Sequence, residues 1–216
     1  MTTLPFRDPA ETAAAVPRAV AHLRAGGVLA HPTETVYGFG TMLEPAALER
    51  LARLKQREQD RPFLLLVAGE EQAPGLLWPD AARALANAFW PGPLTLALRA
   101  PAGGYPAAVV SSKGTVALRA TSQPGLRALL HALSSPMTST SANLAGRAPA
   151  SSADEVRVVV EAADPRESGV VCLDAGTLPA APPSTIVEFV ATRPRLVRAG
   201  AVGLAALRAV VEEIDV

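Results

Sequence analysis

Stretches with helical periodicity and short apolar runs of strand length alternate along the whole of this 216-residue chain, and that alternation limits the folds open to it. From Glu11 to Ala25 the residues Val16, Ala19, Val20 and Leu23 recur three and four apart, with Gly26-Gly27 as a stop, which predicts a helix. Val28–Ala30 reads as a short buried strand and leads into a polar, proline-marked turn, His31-Pro32-Thr33-Glu34-Thr35. Pro45 fits the first turn of a helix reaching about Gln56, with Leu48, Leu51 and Leu54 facing inward. Phe63–Val67 predicts a strand. Asp80 suits the cap of a helix through Ala88, which Trp90-Pro91-Gly92-Pro93 ends before a strand at Leu94–Leu98. Further strands are expected at Thr115–Arg119, Val170–Leu173, Thr185–Phe189 and Arg195–Val197, and helices at Gly125–Leu133, Ala153–Glu161 and Gly203–Glu213. The interleaving predicts an α/β layered fold, and the span from Leu94 to Arg119 leaves room for antiparallel pairs. The length fits a single domain, 1–216.

Several function classes fall on charge and composition. Twenty Lys+Arg balance 20 Asp+Glu, so no bulk field draws the chain to nucleic acid or to an anionic membrane. Cys172 is the single cysteine, which excludes an intrachain disulfide and a cysteine-based zinc site and fits a reducing, cytoplasmic setting. The start, MTTLPFRDPAET, has no charged-then-apolar leader pattern, and no apolar run is long enough to span a bilayer. Neither G-x-x-x-x-G-K-[ST] nor G-x-G-x-x-G occurs, so ordinary P-loop and dinucleotide-binding readings fail. His22, His31 and His131 are scattered without metal-ligand spacing and read best as helix-surface or satisfied core residues. There is no G-x-S-x-G elbow, and Cys172 inside Val-Val-Cys-Leu reads as a buried inert thiol. No candidate for covalent catalysis remains.

Polar and cationic groups do gather at the ends of the expected elements. Lys55 and Arg57 stand just past a helix, with Arg61 four further on, so several cations can converge on one anion; the helix dipole alone also favours cations there. Thr138-Ser139-Thr140-Ser141-Ala142-Asn143 offers hydroxyls, an amide and backbone N–H groups able to cradle phosphate or carboxylate oxygens, and a capping turn would look similar. Thr33 and Thr35 place hydroxyls after a strand, where α/β folds bind ligands, or serve a structural turn. Arg119 and Thr115 share one face of a strand because their separation is even, though a surface ion pair would also account for Arg119. Ser184 and Arg198 again put donors at strand termini, where solvated ends are common.

In order along the chain, HPTETVYGFG, LKQREQDRPF, WPGPLTLAL, GTVALR, TSANLAGR, STIVEF and LVRAGAV resemble the YrdC family, from about Gly26 to Gly203. The resemblance implies an α/β twisted mixed sheet flanked by helices around a basic cavity. It also implies an activity: similar enzymes join L-threonine, bicarbonate and ATP into threonylcarbamoyl-adenylate and pyrophosphate. A downstream threonylcarbamoyl transferase complex then passes the group to adenosine 37 of tRNAs. The family's catalytic signature lands on Lys55, Arg57, Ser141 and Asn143; Arg61, Thr115 and Arg198 align with further ATP contacts, and Thr35, Arg119, Ser139 and Ser184 with threonine contacts. Mg²⁺ is expected to arrive with ATP. Such a reaction needs positioning and charge neutralisation rather than a protein nucleophile, which suits the residues present.

Departures from the pattern are Leu66, where many relatives carry a histidine near threonine, Ala145 in place of a common serine, and His31 in place of a frequent tyrosine. Longer relatives add a second domain, and this chain resembles the short bacterial form. Two rival expectations stand beside the enzyme: a non-catalytic module for double-stranded RNA or ribosome maturation, and a divergent nucleotide-binding branch with another substrate. Balanced charge speaks against the RNA partner, and Leu66 keeps the divergent branch open.

Overall fold

The computed structural model describes residues 1–56, 61–144, 146–163 and 169–216. Its strands are β1 (Thr2–Pro5), β2 (Leu29–Pro32), β3 (Tyr37–Gly40), β4 (Leu64–Leu66), β5 (Leu94–Arg99), β6 (Thr115–Arg119), β7 (Met137–Ser141), β8 (Val171–Asp174), β9 (Thr185–Phe189) and β10 (Arg195–Arg198). They form one ten-stranded sheet in the order β1-β8-β2-β3-β7-β4-β6-β5-β9-β10. Parallel pairs (β1 with β8, β2 with β8, β4 with β6, β5 with β9) mix with antiparallel ones, so the expected mixed α/β sheet is present. β7 joins the two halves: Ser141 and Thr140 pair with β3, and Ser139, Thr138 and Met137 pair with β4.

Six helices flank the sheet among the described residues: α1 (Pro9–Arg24), α2 (Pro45–Leu54), α3 (Asp80–Phe89), α4 (Pro124–Leu133), α5 (Ala153–Ala162) and α6 (Leu204–Arg208). Helix α1 starts where the sequence dictates. Asp8 accepts the Glu11 N–H at 2.8 Å and Pro9 occupies the first position, where a missing N–H is harmless. Helices α1 and α4 cover part of one sheet face, burying Ala15, Ala19, Leu23, Leu126, Leu129 and Leu130 against Leu29, Leu66 and Met137. On the opposite face Leu48, Leu51, Leu85 and Val156 close a second core over Phe39, Leu65, Leu96, Leu118 and Val187. No described helix is long and apolar enough to cross a membrane.

Three strands, β1, β3 and β7, were not anticipated from the sequence, and β2 runs on through His31-Pro32 rather than ending at Ala30. β3 hides behind two glycines that read as punctuation. A Cβ at Gly40 would lie 2.2 Å from the Thr138 carbonyl oxygen, and one at Gly38 would lie 3.0 Å from that of Thr140. Both positions need glycine because β7 comes so near. β7 itself lacks an apolar alternation because its hydroxyls are used: Thr138 Oγ1 donates to the Thr41 carbonyl at 3.0 Å and accepts the Thr41 N–H at 2.9 Å. Two helix expectations also change. Asp80 is the first residue of α3 and Pro79 its cap. α6 stops at Arg208, well short of Glu213, because the chain turns back to bury Ile214 and to bond Asp215 alongside β10, the Leu196 N–H reaching the Asp215 carbonyl at 2.7 Å.

Candidate active site

Even-numbered steps along paired strands place one polar row on the sheet face that α1 and α4 leave partly uncovered. Register puts His31 opposite Gly38, Gly38 opposite Ser141, Leu64 opposite Ser139, and Leu66 beside Arg119. The pair Leu96 and Leu118, read one step further, sets Thr95 across from Arg119 on this same face. Of the expected site residues, Ser139, Ser141 and Arg119 therefore share one surface.

At one end stands Lys55, directly past α2. Its ammonium donates to the Ser141 carbonyl at 2.7 Å, the Asn143 carbonyl at 2.6 Å and Asn143 Oδ1 at 2.8 Å. Ser141 Oγ donates to the same Oδ1 at 2.7 Å, and Asn143 Nδ2 ties down the Leu144 and Arg147 carbonyls at 3.0 and 2.8 Å. The turn after β7 is thus tied together by one amide and pinned to α2 by one lysine. Arg61 is exposed on the approach to β4. Arg57, expected beside Lys55, lies outside the described residues, as does Ala145.

The other end centres on Arg119, 5% exposed at the close of β6. Burial pulls its guanidinium below the usual range, Glu34 opposes the shift, and nearby Arg198 adds to it. Arg198 is likewise lowered by burial. It donates through Nε and Nη2 to the Ser184 carbonyl at 3.0 and 2.7 Å, and through Nη2 to Ser184 Oγ at 3.0 Å. The Ser184 and Thr95 hydroxyls meet at 2.9 Å. Arg198 and Ser184, assigned from the sequence to different ligands, are therefore in direct contact. Thr35 is buried on the turn between β2 and β3, its hydroxyl 2.9 Å from that of Thr33, and Ser139 is buried in β7 between the two ends.

Thr115 shares the face of Arg119 but sits at the far end of β6, roughly 13 Å away at about 3.3 Å per residue. There its hydroxyl meets Ser111 Oγ at 2.7 Å, next to a cluster in which Glu188 takes Lys113 at 2.9 Å and Arg195 at 2.6 Å. Burial works against the Glu188 charge, yet those two cations hold its carboxyl below the usual value. A separate open hollow of about 350 Å³, lined among others by Trp78, Trp90, Arg83 and Arg127, contains none of the expected site residues.

Sequence reasoning missed three members of the Arg119 end: Thr95, Thr121 and Glu34. The Thr121 hydroxyl donates to Glu34 Oε2 at 2.5 Å, and Arg119 Nη2 lies 3.8 Å from that oxygen. A lone acidic residue inside a Thr-rich turn carries little signal of its own. It also misjudged His31, which is a core residue but not a satisfied one: neither ring nitrogen has a partner among the described residues. Burial, with Arg119 nearby, drives its pKa down to about 3, so the ring is neutral. Burial also pushes the Cys172 thiol up to about 12, in keeping with an inert cysteine. Among the described residues no group of three or more His, Cys, Asp or Glu is arranged to hold a metal ion.

Comparison with known proteins gives this geometry a family. Residues 21–200 match the Sua5/YciO/YrdC model, which carries the description telomere recombination, and the chain belongs to that family. The threonylcarbamoyl-AMP synthase of Escherichia coli is 37% identical over 156 residues, 70% of this chain and 82% of that protein. Pyrococcus abyssi Sua5, solved in complex with L-threonine, superposes with a TM-score of 0.88 at 29% identity and covers 100% of this chain. This chain spans 62% of the length of that archaeal protein. The crystal structure of E. coli YciO matches with a TM-score of 0.78 at 27% identity, over 95% of this chain and 97% of that one.

Proposed function

We propose that this chain is a threonylcarbamoyl-AMP synthase, joining L-threonine, bicarbonate and ATP with release of pyrophosphate. The observation that carries the reading is the bonded cluster of Lys55, Ser141 and Asn143 after β7, with Ser139 and Arg119 further along the sheet face that Ser141 shares and Ser184, bonded to Arg198, meeting Thr95 on that face. The relatives named above support it. In the reaction, the ammonium of threonine gives up a proton to solvent, and the free amine bonds to the carbon of bicarbonate as a C–O bond breaks and water leaves, giving a carbamate. A carbamate oxygen then bonds to the α-phosphorus while the bond from that phosphorus to the bridging oxygen breaks, and pyrophosphate leaves.

The protein's part is to neutralise and to align. Lys55 supplies a compact charge beside the hydroxyl of Ser141, and Arg61 and the sequence-assigned Arg57 add positive charge for the triphosphate. Mg²⁺ enters with ATP as part of the substrate. Arg198 and Thr115 line the route assigned to the nucleotide. Arg119, a planar fork suited to bidentate bonding, holds the threonine carboxylate, with Thr35, Ser139 and Ser184 around the amino acid. The product serves tRNA modification in the cytoplasm through a downstream threonylcarbamoyl transferase complex. An RNA-binding role has no support from the balanced charge of 20 cationic and 20 acidic residues.

Incubation with ATP, Mg²⁺ and bicarbonate, with and without L-threonine, tests the reading. Pyrophosphate is expected only when threonine is present. Release that ignores threonine would overturn it.

A further inference from the structure

Glu34 is carried on a turn whose shape is set by its neighbour. The Thr33 hydroxyl donates to the Val36 carbonyl at 2.8 Å and accepts the N–H groups of Thr35 and Val36, each at 3.1 Å. The turn aims Glu34 into the protein, where its side chain is 16% exposed. Oε2 takes the Thr121 hydroxyl, while Oε1 is buried and has no partner among the described residues. Arg119 is in the same condition: Nη2 is 3.8 Å from Glu34 Oε2, and its buried Nε has no partner.

At that distance the two charges are neighbours without sharing a hydrogen bond. A buried charged group with an unmade bond carries a desolvation cost that a ligand can remove. A carboxylate and a guanidinium, side by side and each with a buried atom that makes no bond among the described residues, complement a molecule that bears an ammonium next to a carboxylate. Thr121 holds the Glu34 carboxylate in place, which keeps the two charges apart. His31 cannot take the role of the anion, since a neutral imidazole gives no charge to an ammonium.

We propose that Glu34 Oε1 binds the α-ammonium group of the amino-acid substrate while Arg119 binds its carboxylate, so that the site selects a free zwitterionic α-amino acid. Glu34 is then a specificity-determining contact, and the assignment rests on the reading above that this end of the site takes L-threonine.

The test is titration calorimetry on the whole chain, wild type and Glu34→Gln, with L-threonine and with 3-hydroxybutyrate, which lacks only the amino group. Wild type is expected to prefer threonine. Glu34→Gln is expected to lose roughly ten- to hundredfold in threonine affinity, the worth of a hydrogen bond to a charged group, and to keep its affinity for 3-hydroxybutyrate within about twofold. Equal losses for both ligands would mark a structural role and overturn the proposal, as would an unchanged threonine affinity. If wild type binds ATP but neither acid, the amino-acid reading itself fails and this assignment with it. If Glu34→Gln does not fold, Thr121→Val serves instead: it frees the carboxylate without removing its charge. A several-fold smaller preference for threonine is then expected, and an unaltered preference overturns the assignment.

Discussion

The two ends of the candidate site are built on opposite principles. Around Lys55, three oxygens take the ammonium and the Asn143 amide closes the turn on itself. Around Arg119, three side chains, His31, Glu34 and Arg119, keep buried nitrogens or oxygens without partners among the described residues. The first end is completed by the protein. The second is left with polar atoms that a ligand of matching charge would complete. In the proposed reaction, preorganised charge suits phosphates, whose charge would grow at the leaving oxygen, and it needs no rearrangement when chemistry occurs. The underbonded end suits selection, because a ligand lacking a matching group leaves a buried charge unpaired.

The contrast can be broken most strongly at Lys55. Lys55→Ala is expected to lower the rate of pyrophosphate release by roughly a hundred- to a thousandfold, the scale found when one preorganised electrostatic contact is removed, with threonine affinity unchanged. A rate within twofold of wild type would remove Lys55 from its role. At the other end, Arg119→Lys keeps the charge but loses the planar fork. It is expected to raise the KM for threonine about tenfold or more while leaving the KM for ATP within about twofold. An equal rise in both would dissolve the division between the ends.

A separate effect concerns stability rather than turnover. His31 has a folded pKa of about 3 against an ordinary 6.5, so the unfolded chain binds a proton that the folded one refuses. Its contribution is present above pH 6.5 and is lost as the pH falls toward 3, by about 1.4 kcal/mol per pH unit. Thermal melts of wild type and His31→Phe between pH 7 and 5 check this. The difference between the two is expected to shift in favour of the variant as the pH drops, and parallel curves would refute it.

Much of this architecture is legible in the sequence where periodicity is undisturbed. β6 and β9 fall at Thr115–Arg119 and Thr185–Phe189 as expected, and α1, α4 and α5 differ from expectation only at their ends. Legibility fails where polar residues or glycines do the work of apolar ones. β3 and β7 meet through glycines and bonded hydroxyls, so no local hydrophobic pattern marks either. In the site, Lys55, Ser141 and Asn143 were named together from the sequence and are bonded together in space. Thr95, Thr121 and Glu34 were not assigned to the site, because their importance depends on register and on a turn rather than on residue type. The contact between Arg198 and Ser184 likewise comes from a chain reversal, with β10 folded back on β9.

β7 touches β3 through its last residues and β4 through its first, and so it is the keel on which both halves of the sheet are laid. Side chains on a strand alternate between faces, so adding or deleting one residue within it would turn Ser139 and Ser141 away and bring threonines round in their place. Both ends would be spoiled in one stroke. Evolution can retouch the loops around this keel one at a time, but the keel can be lengthened or shortened only in steps of two.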